Sequence, residues 1–181
     1  MEVETPWLRQ LQRPPVLWIR ARAEKGDGVV SEMRSLEPHP SLAHAFRHSD
    51  KEDLFKTLSF KQGAFEIQDI ASQAVAAICA PKSGETWWDM CAGEGGKTLH
   101  LGDLMGNKGL IWATDTAEWR LEKLKKRAAR ASLFNYRSKH WVDTTKPPVK
   151  ALFDGILVDA PCTGVGTWHR NPHARWTLTA T

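Results

Sequence analysis

DMCAGEGGKT, Asp89 to Thr98, joins a short apolar run, ETWWDM (Glu85–Met90), to a stretch in which Leu99, Leu101, Leu104 and Met105 recur at helical spacing. A run of that length ending in an acid reads as a buried strand, so the glycines fall in a strand-to-helix turn. Gly93, Gly95 and Gly96 allow the backbone to approach a bound group closely, and the helix opening at Gly96 turns its amides and positive dipole end toward that group. An anionic group suits such a place. The stretch is not a phosphate loop of the GxxxxGK[ST] kind, because the first glycine stands too close to Gly96-Lys97-Thr98. It does not match GxGxxG either, because Lys97 and Thr98 occupy the place of the last glycine. A turn that only redirects the chain would carry the same glycines.

Outward from this turn the chain alternates. Before it, Ile70, Ala71, Val75, Ala76 and Cys79 are spaced as on one face of a helix that Pro81 and Gly84 end. After it come a short strand, GLIWATD (Gly109–Asp115), and a strongly helical segment with a basic face, AEWRLEKLKKRAARAS (Ala117–Ser132). SKHWVD (Ser138–Asp143) predicts a weaker strand and FDGILVDAP (Phe153–Pro161) a strong one, with Ile156, Leu157 and Val158 expected to be buried on both faces. Strands alternating with helices predict a doubly wound, mostly parallel α/β sheet. Ligands of such sheets lie beyond the carboxyl ends of the strands. Asp89 to Lys97, Asp115, Asp143 and Asp159 to Cys162 all fall there.

Residues 1–60 have another texture, with Pro14-Pro15, a short VLWIR run, AEKGDG and the EPHPS loop. They predict a small N-terminal α/β appendage, irregular apart from a strand over Val16–Ala21, leaving residues 61–181 for the main domain. The 181 residues suffice for one domain with a real core plus an appendage. With 41% hydrophobic and 25% charged residues, the composition excludes wholesale disorder. The formal charge of +4 favours a polyanionic partner. No apolar run approaches membrane-spanning length. Cys79, Cys91 and Cys162 make neither a metal-ligand spacing nor an even disulfide set, so reduced thiols in the cytoplasm are expected, with no metal.

Asp115 closes the second strand where a carboxylate can hold the two hydroxyls of a ribose, or can simply cap the next helix. DAPCTGVG, Asp159 to Gly166, delivers an acid, a proline and a thiol within four residues. Asp159 could bind a base edge, and Cys162 could meet an electrophilic carbon or be an inert thiol. Arg120, Lys123, Lys125, Lys126, Arg127 and Arg130 suit either phosphates or a solvated helix face. Trp168, His169, Arg170, His173, Arg175 and Trp176 mix rings and cations as a base-stacking loop does, although tryptophans packed in a core read the same.

Taken together, DMCAGEGGKT, Asp115 with Arg120 after it, and DAPCTGVGTWHRNPHARW resemble the RNA cytosine-C5 methyltransferases of the RsmB, Nop2 and Sun type, and GAFEIQDIASQ fits as well. The resemblance spans roughly residues 62–176. It implies a Rossmann-like class I S-adenosylmethionine-dependent methyltransferase fold and S-adenosyl-L-methionine as cofactor. By resemblance, Cys91, Ala92, Gly93, Glu94, Gly95, Gly96 and Lys97 line the methionyl end, Asp115 holds the ribose, Asp143 lies near the adenine, Arg120 also binds the cofactor, and Asp159 borders both cofactor and target base. It also implies an rRNA or tRNA substrate, with Arg170, Arg175 and Trp168 among its contacts, and a monomeric cytoplasmic enzyme. In the family the attacking thiol comes from a Thr-Cys pair, while the cysteine matching Cys162 assists release.

Two departures stand out. Glu94 replaces the proline usual in the family, and none of the three cysteines matches the attacking thiol. The resemblance therefore predicts an N-terminal fragment whose sheet is incomplete at the C-terminus, marginally stable, with an unpaired apolar edge on its last strand. A non-catalytic RNA- or cofactor-binding remnant is the rival expectation. A DNA cytosine-C5 methyltransferase, which would make Cys162 the attacker, is another.

Overall fold

The computed structural model describes Pro6, residues 14–33, 35–143 and 145–168, and Arg170, Asn171 and His173. The chain divides into two compact units, Leu17–Ala160 and the pair of segments Met1–Val16 and Pro161–Thr181. The larger unit contains both sheets.

The first sheet is antiparallel, in the order β2-β3-β1-β4, from β1 (Leu17–Ala21), β2 (Leu36–Pro38), β3 (Ala45–His48) and β4 (Phe65–Ile67). Ile19 at its centre faces Phe46 on one side and Ile67 on the other. Helices α1 (Gly26–Glu32) and α2 (Leu58–Lys61) accompany it, and Ile19, Val29, Met33, Leu54 and Phe65 form its core. The expected irregular segment is thus a regular layer, and its fourth strand lies beyond Phe60, where the sequence places the boundary.

The second sheet is parallel, in the order β7-β6-β5-β8, from β5 (Thr86–Asp89), β6 (Leu110–Asp115), β7 (Tyr136–His140) and β8 (Gly155–Leu157). Helix α3 (Ile70–Cys79) precedes β5, α4 (Gly96–Leu104) joins β5 to β6, and α5 (Glu118–Arg130) joins β6 to β7. Asp69 starts α3 by accepting the Ala71 amide at 3.0 Å, and Ala80 ends it in the left-handed region, φ 43°. Leu121, Leu124 and Ala128, one stripe of α5, pack on Leu99, Ala113 and Leu133. Ala76, Leu101 and Met105 of α3, α4 and its end close over Trp87, Ile111 and Leu157.

Strand β8 departs from expectation. Leu157 is buried, but Ile156 and Val158 are 53% and 59% exposed. The apolar run led to an expectation of burial on both faces. As an edge strand, however, β8 has β5 as its only strand neighbour among the described residues, and Ile156 and Val158 share a face that is open there. Among the described residues this edge is unpaired.

Two carboxylates, the partly exposed Asp103 and the buried Glu66, join the antiparallel sheet to the parallel one. Asp103 of α4 receives Arg20 and Arg22 of the β1 segment, and Arg22 also donates to the Ala131 carbonyl. Glu66 of β4 receives Arg127 and Arg130 of α5. Each acid has two guanidinium partners, the arrangement that makes a buried charge tolerable. Among the described residues, no helix is long and apolar enough to cross a membrane and no cluster of His, Cys, Asp or Glu could hold a metal.

Candidate functional site

The site lies at the carboxyl end of the parallel sheet. The turn after β5 is pinned to β6: Ala92 N–H donates to the Thr114 carbonyl at 2.8 Å and Gly93 N–H to Asp115 Oδ2 at 2.8 Å. Behind it, Trp88 Nε1 donates to Thr114 Oγ1, which donates to the Met90 carbonyl. The turn needs its glycines for different reasons. Gly95 has φ +86°, and a Cβ there would lie 2.6 Å from Leu124 Cγ. Gly93 has φ +55°, and a Cβ there would meet nothing within 4 Å, so it borders open space. Helix α4 starts after Gly95 without a side-chain cap, which leaves the first amides of the helix unclaimed by any cap.

Three acids, Asp89, Asp115 and Asp159, converge on this end, and a fourth, Asp143, stands apart. Asp89 is fully buried; Thr98 Oγ1 donates to its Oδ2 at 2.6 Å, and its Oδ1 has no partner among the described residues. Burial pushes the Asp89 carboxyl up to about 7, against the Thr98 hydrogen bond and the Lys97 charge, with Asp159 and Asp115 reinforcing the rise. Asp115 accepts Gly93 N–H on one oxygen and Ala117 N–H on the other, both at 2.8 Å. It therefore holds the Ala117 amide just ahead of α5 without capping the helix, and also ties down the glycine turn. Asp159 pairs with Lys97 at 2.5 Å, and Lys97 Nζ also donates to Ser72 Oγ at 3.1 Å. Asp143 is exposed and held below the usual carboxylate range by Thr145, whose hydroxyl and amide both donate to it.

Cys91 is half-buried, and burial followed by the nearby Asp115 charge raises its thiol, so it is not set up as a thiolate. Glu94 turns to α5, where Lys123 Nζ sits 2.7 Å from its Oε1. Arg120 is exposed and stacks on Trp119. The basic face of α5 is largely spoken for: Arg127 and Arg130 turn inward to Glu66, and Lys125 pairs with Glu122.

The structure thus brings together Asp89, Cys91 to Thr98, Asp115 and Asp159. Asp143 and Arg120 occupy their own exposed positions. Cys162, Trp168 and Arg170 belong to the other compact unit, where Cys162 and Arg170 are exposed and Trp168 follows a short 3-10 turn over Val165–Thr167. Arg175 lies outside the described residues. Sequence reasoning missed Thr98, Ser72 and Gln68, and named Arg127 only for phosphates or a solvated helix face, where the structure turns it to Glu94 and Glu66. Thr98 was inside the quoted turn, and Gln68 inside GAFEIQDIASQ, but nothing local marks either as a partner of a residue far along the chain.

A parallel sheet with this glycine turn and these acids at its carboxyl end has the Rossmann-like class I S-adenosylmethionine-dependent methyltransferase fold. Residues 76–181 match the family described as 16S rRNA methyltransferase RsmB/F, and the chain belongs to that family. A probable ribosomal RNA small subunit methyltransferase B of Synechocystis sp. is 45% identical over 124 residues, covering 66% of this chain and 27% of that protein. Ribosomal RNA small subunit methyltransferase B of Salmonella arizonae is 30% identical over 178 residues, covering 91% of this chain and 40% of that protein. The chain therefore spans well under half the length of these relatives. A methyltransferase homolog from Pyrococcus horikoshii superposes with a TM-score of 0.81 at 30% identity, covering 90% of this chain and 55% of that one. NSun6 from Pyrococcus horikoshii, solved with SFG, shares the fold at TM-score 0.80 and 19% identity, covering 87% of this chain and 66% of that one.

Proposed function

We propose that this chain carries the S-adenosylmethionine-binding portion of an enzyme that methylates carbon 5 of a cytosine in small-subunit ribosomal RNA. The observation that carries this reading is the open space beside Gly93 between the uncapped start of α4 and the Asp115 carboxylate. The residues fit the cofactor on three counts. A ligand backbone can pass where a Cβ at Gly93 would stand. The first amides of α4 can take a carboxylate. Each Asp115 oxygen accepts one amide and keeps a lone pair for a ribose hydroxyl. NSun6 with SFG, an analogue of S-adenosylmethionine, supports the same reading.

When bound, S-adenosylmethionine supplies an electrophilic sulfonium methyl group. The chain's own residues bind and orient. Lys97 presents a cation to the ligand carboxylate and is steadied by Asp159 and Ser72. Glu94 does not oppose that carboxylate, because its charge is matched by Lys123. Asp159 follows β8 by two residues, at the carboxyl end where a base edge would meet it, and Cys162 assists release of the product. Trp168, Arg170 and Arg175 contact RNA. Addition of a thiolate to carbon 6 of cytosine needs a further cysteine: Cys79 follows Ile78, Cys91 follows Met90 and Cys162 follows Pro161, so none forms a Thr-Cys pair.

In this reading the 181-residue chain binds the cofactor and does not turn over. Calorimetric titration with S-adenosylhomocysteine, with ATP as the control, tests the pocket: heat with the first and none with the second is expected, and the reverse sinks the reading. Transfer of labelled methyl to 16S rRNA by this chain alone would refute the division of labour.

A further inference from the structure

The two carbonyls that flank Gly95 are each gripped by a side chain whose remaining bonds reach the antiparallel sheet. Arg127 Nη1 donates to the Glu94 carbonyl at 3.0 Å, while its Nε and Nη2 hold Glu66 Oε2 of β4 at 3.2 and 2.8 Å. Gln68 Nε2 donates to the Gly96 carbonyl at 3.1 Å, while its Oε1 accepts from Arg20 Nε of β1 at 3.0 Å. Neither tether is loose. Glu66 and Arg20 are each 2% exposed, and Gln68 is fixed at both main-chain groups, its amide on the Trp18 carbonyl and its carbonyl on Gln73 Nε2.

A peptide group is planar, so fixing a carbonyl fixes the amide that follows it. The Glu94 carbonyl sets the Gly95 N–H, which closes the turn on the Ala92 carbonyl at 2.9 Å. The Gly96 carbonyl sets the Lys97 N–H, one of the uncapped amides at the start of α4. Glycines at 93, 95 and 96 would otherwise leave this backbone with the widest conformational freedom in the chain.

We infer that the antiparallel sheet is a positioning element for the ligand-binding turn, acting through Arg127 on the Glu94 carbonyl and through Gln68 on the Gly96 carbonyl. Arg127 and Gln68 are positioning residues, and the inference rests on the proposal that this turn holds S-adenosylmethionine. It makes the N-terminal layer part of cofactor recognition.

Two variants of the full 181-residue chain separate this from general stability. Gln68→Glu keeps an acceptor for Arg20 but loses the donor to Gly96. Arg127→Lys keeps a cation beside Glu66 but lacks the fork needed to reach both partners. Each is expected to weaken S-adenosylhomocysteine binding by about tenfold, a change of one unit in log Kd. Amide exchange at Gly95 to Thr98 should quicken by a similar factor, with the thermal midpoint unchanged. Unaltered exchange at these amides in both folded variants overturns the inference. If the parent chain binds no S-adenosylhomocysteine, the cofactor reading fails, and the exchange rates still decide whether the tethers hold the turn.

Discussion

Lys97 Nζ lies 2.5 Å from Asp159 Oδ2, linking the first turn of α4 to the segment that follows β8 across the carboxyl end of the sheet. The lysine is mostly buried and the aspartate mostly exposed, so the cation is the better fixed member. Replacing Lys97 with Met should weaken S-adenosylhomocysteine binding by about tenfold or more, since a partly buried charge-assisted contact is lost. Calorimetry on the two proteins checks this, and equal affinities would remove Lys97 from the site.

The two glycines of the turn should respond differently to a methyl group. Gly95→Ala combines a left-handed φ with a contact at 2.6 Å to Leu124 Cγ, and should cost about 3 kcal/mol in urea unfolding. Gly93→Ala meets nothing, so only the backbone strain of about 1 kcal/mol applies. Its loss should appear in ligand affinity instead, because the new methyl group fills the space where the ligand is proposed to pass.

Asp89 predicts an unusual pH dependence. Its carboxyl is pushed up to about 7 in the folded protein, against an ordinary value of 3.8, so between these values the native state holds a proton that the unfolded state has released. Its contribution to stability is therefore present at low pH and lost as pH rises toward neutrality. Asp89→Asn should gain stability relative to the parent chain on going from about pH 5 to about pH 8. Comparing urea midpoints of the pair at each pH cancels the other titrating groups, and a constant difference would contradict the assignment.

His100 acts with the opposite sign. Burial, with Arg20 and His44 beside it, lowers its pKa from 6.5 to about 3, so the folded protein resists protonation where the unfolded chain accepts it. The contribution is complete above the unfolded value and lost as pH falls through the folded one. His100→Asn should lose less stability than the parent on acidification from about pH 7 to about pH 4.5.

Removing Glu66 should uncouple the two sheets. Glu66→Ala leaves Arg127 and Arg130, both mostly buried, without their shared carboxylate, and should destabilise the protein by about 3 kcal/mol. A chemical denaturation curve measures it. A change under about 0.5 kcal/mol would place this pair with ordinary surface ion pairs.

Periodicity made most of the parallel sheet legible. The 3.6-residue spacing of Leu121, Leu124 and Ala128 and the short apolar runs at Trp87 and Ile111 announce their elements without tertiary information. The antiparallel layer was not legible because β2 and β4 are three residues each, too short for any period, and β4 pairs with β1, far back in the chain. The same limit applied to the site. Asp89, Asp115 and Asp159 reveal themselves by standing at strand ends, whereas Gln68 meets Gly96 and Arg127 meets Glu94 across stretches of 28 and 33 residues. Arg127 was further masked by its basic neighbours, which make any inward-turned cation on α5 look solvated.

The open flank of β8 also bears on handling. A short edge strand with bare isoleucine and valine side chains is a template on which another copy can align. Concentrated stocks should therefore drift toward β-linked oligomers, and a lysine introduced at position 156, directed to solvent, should keep the protein dispersed without touching the ligand end of the sheet.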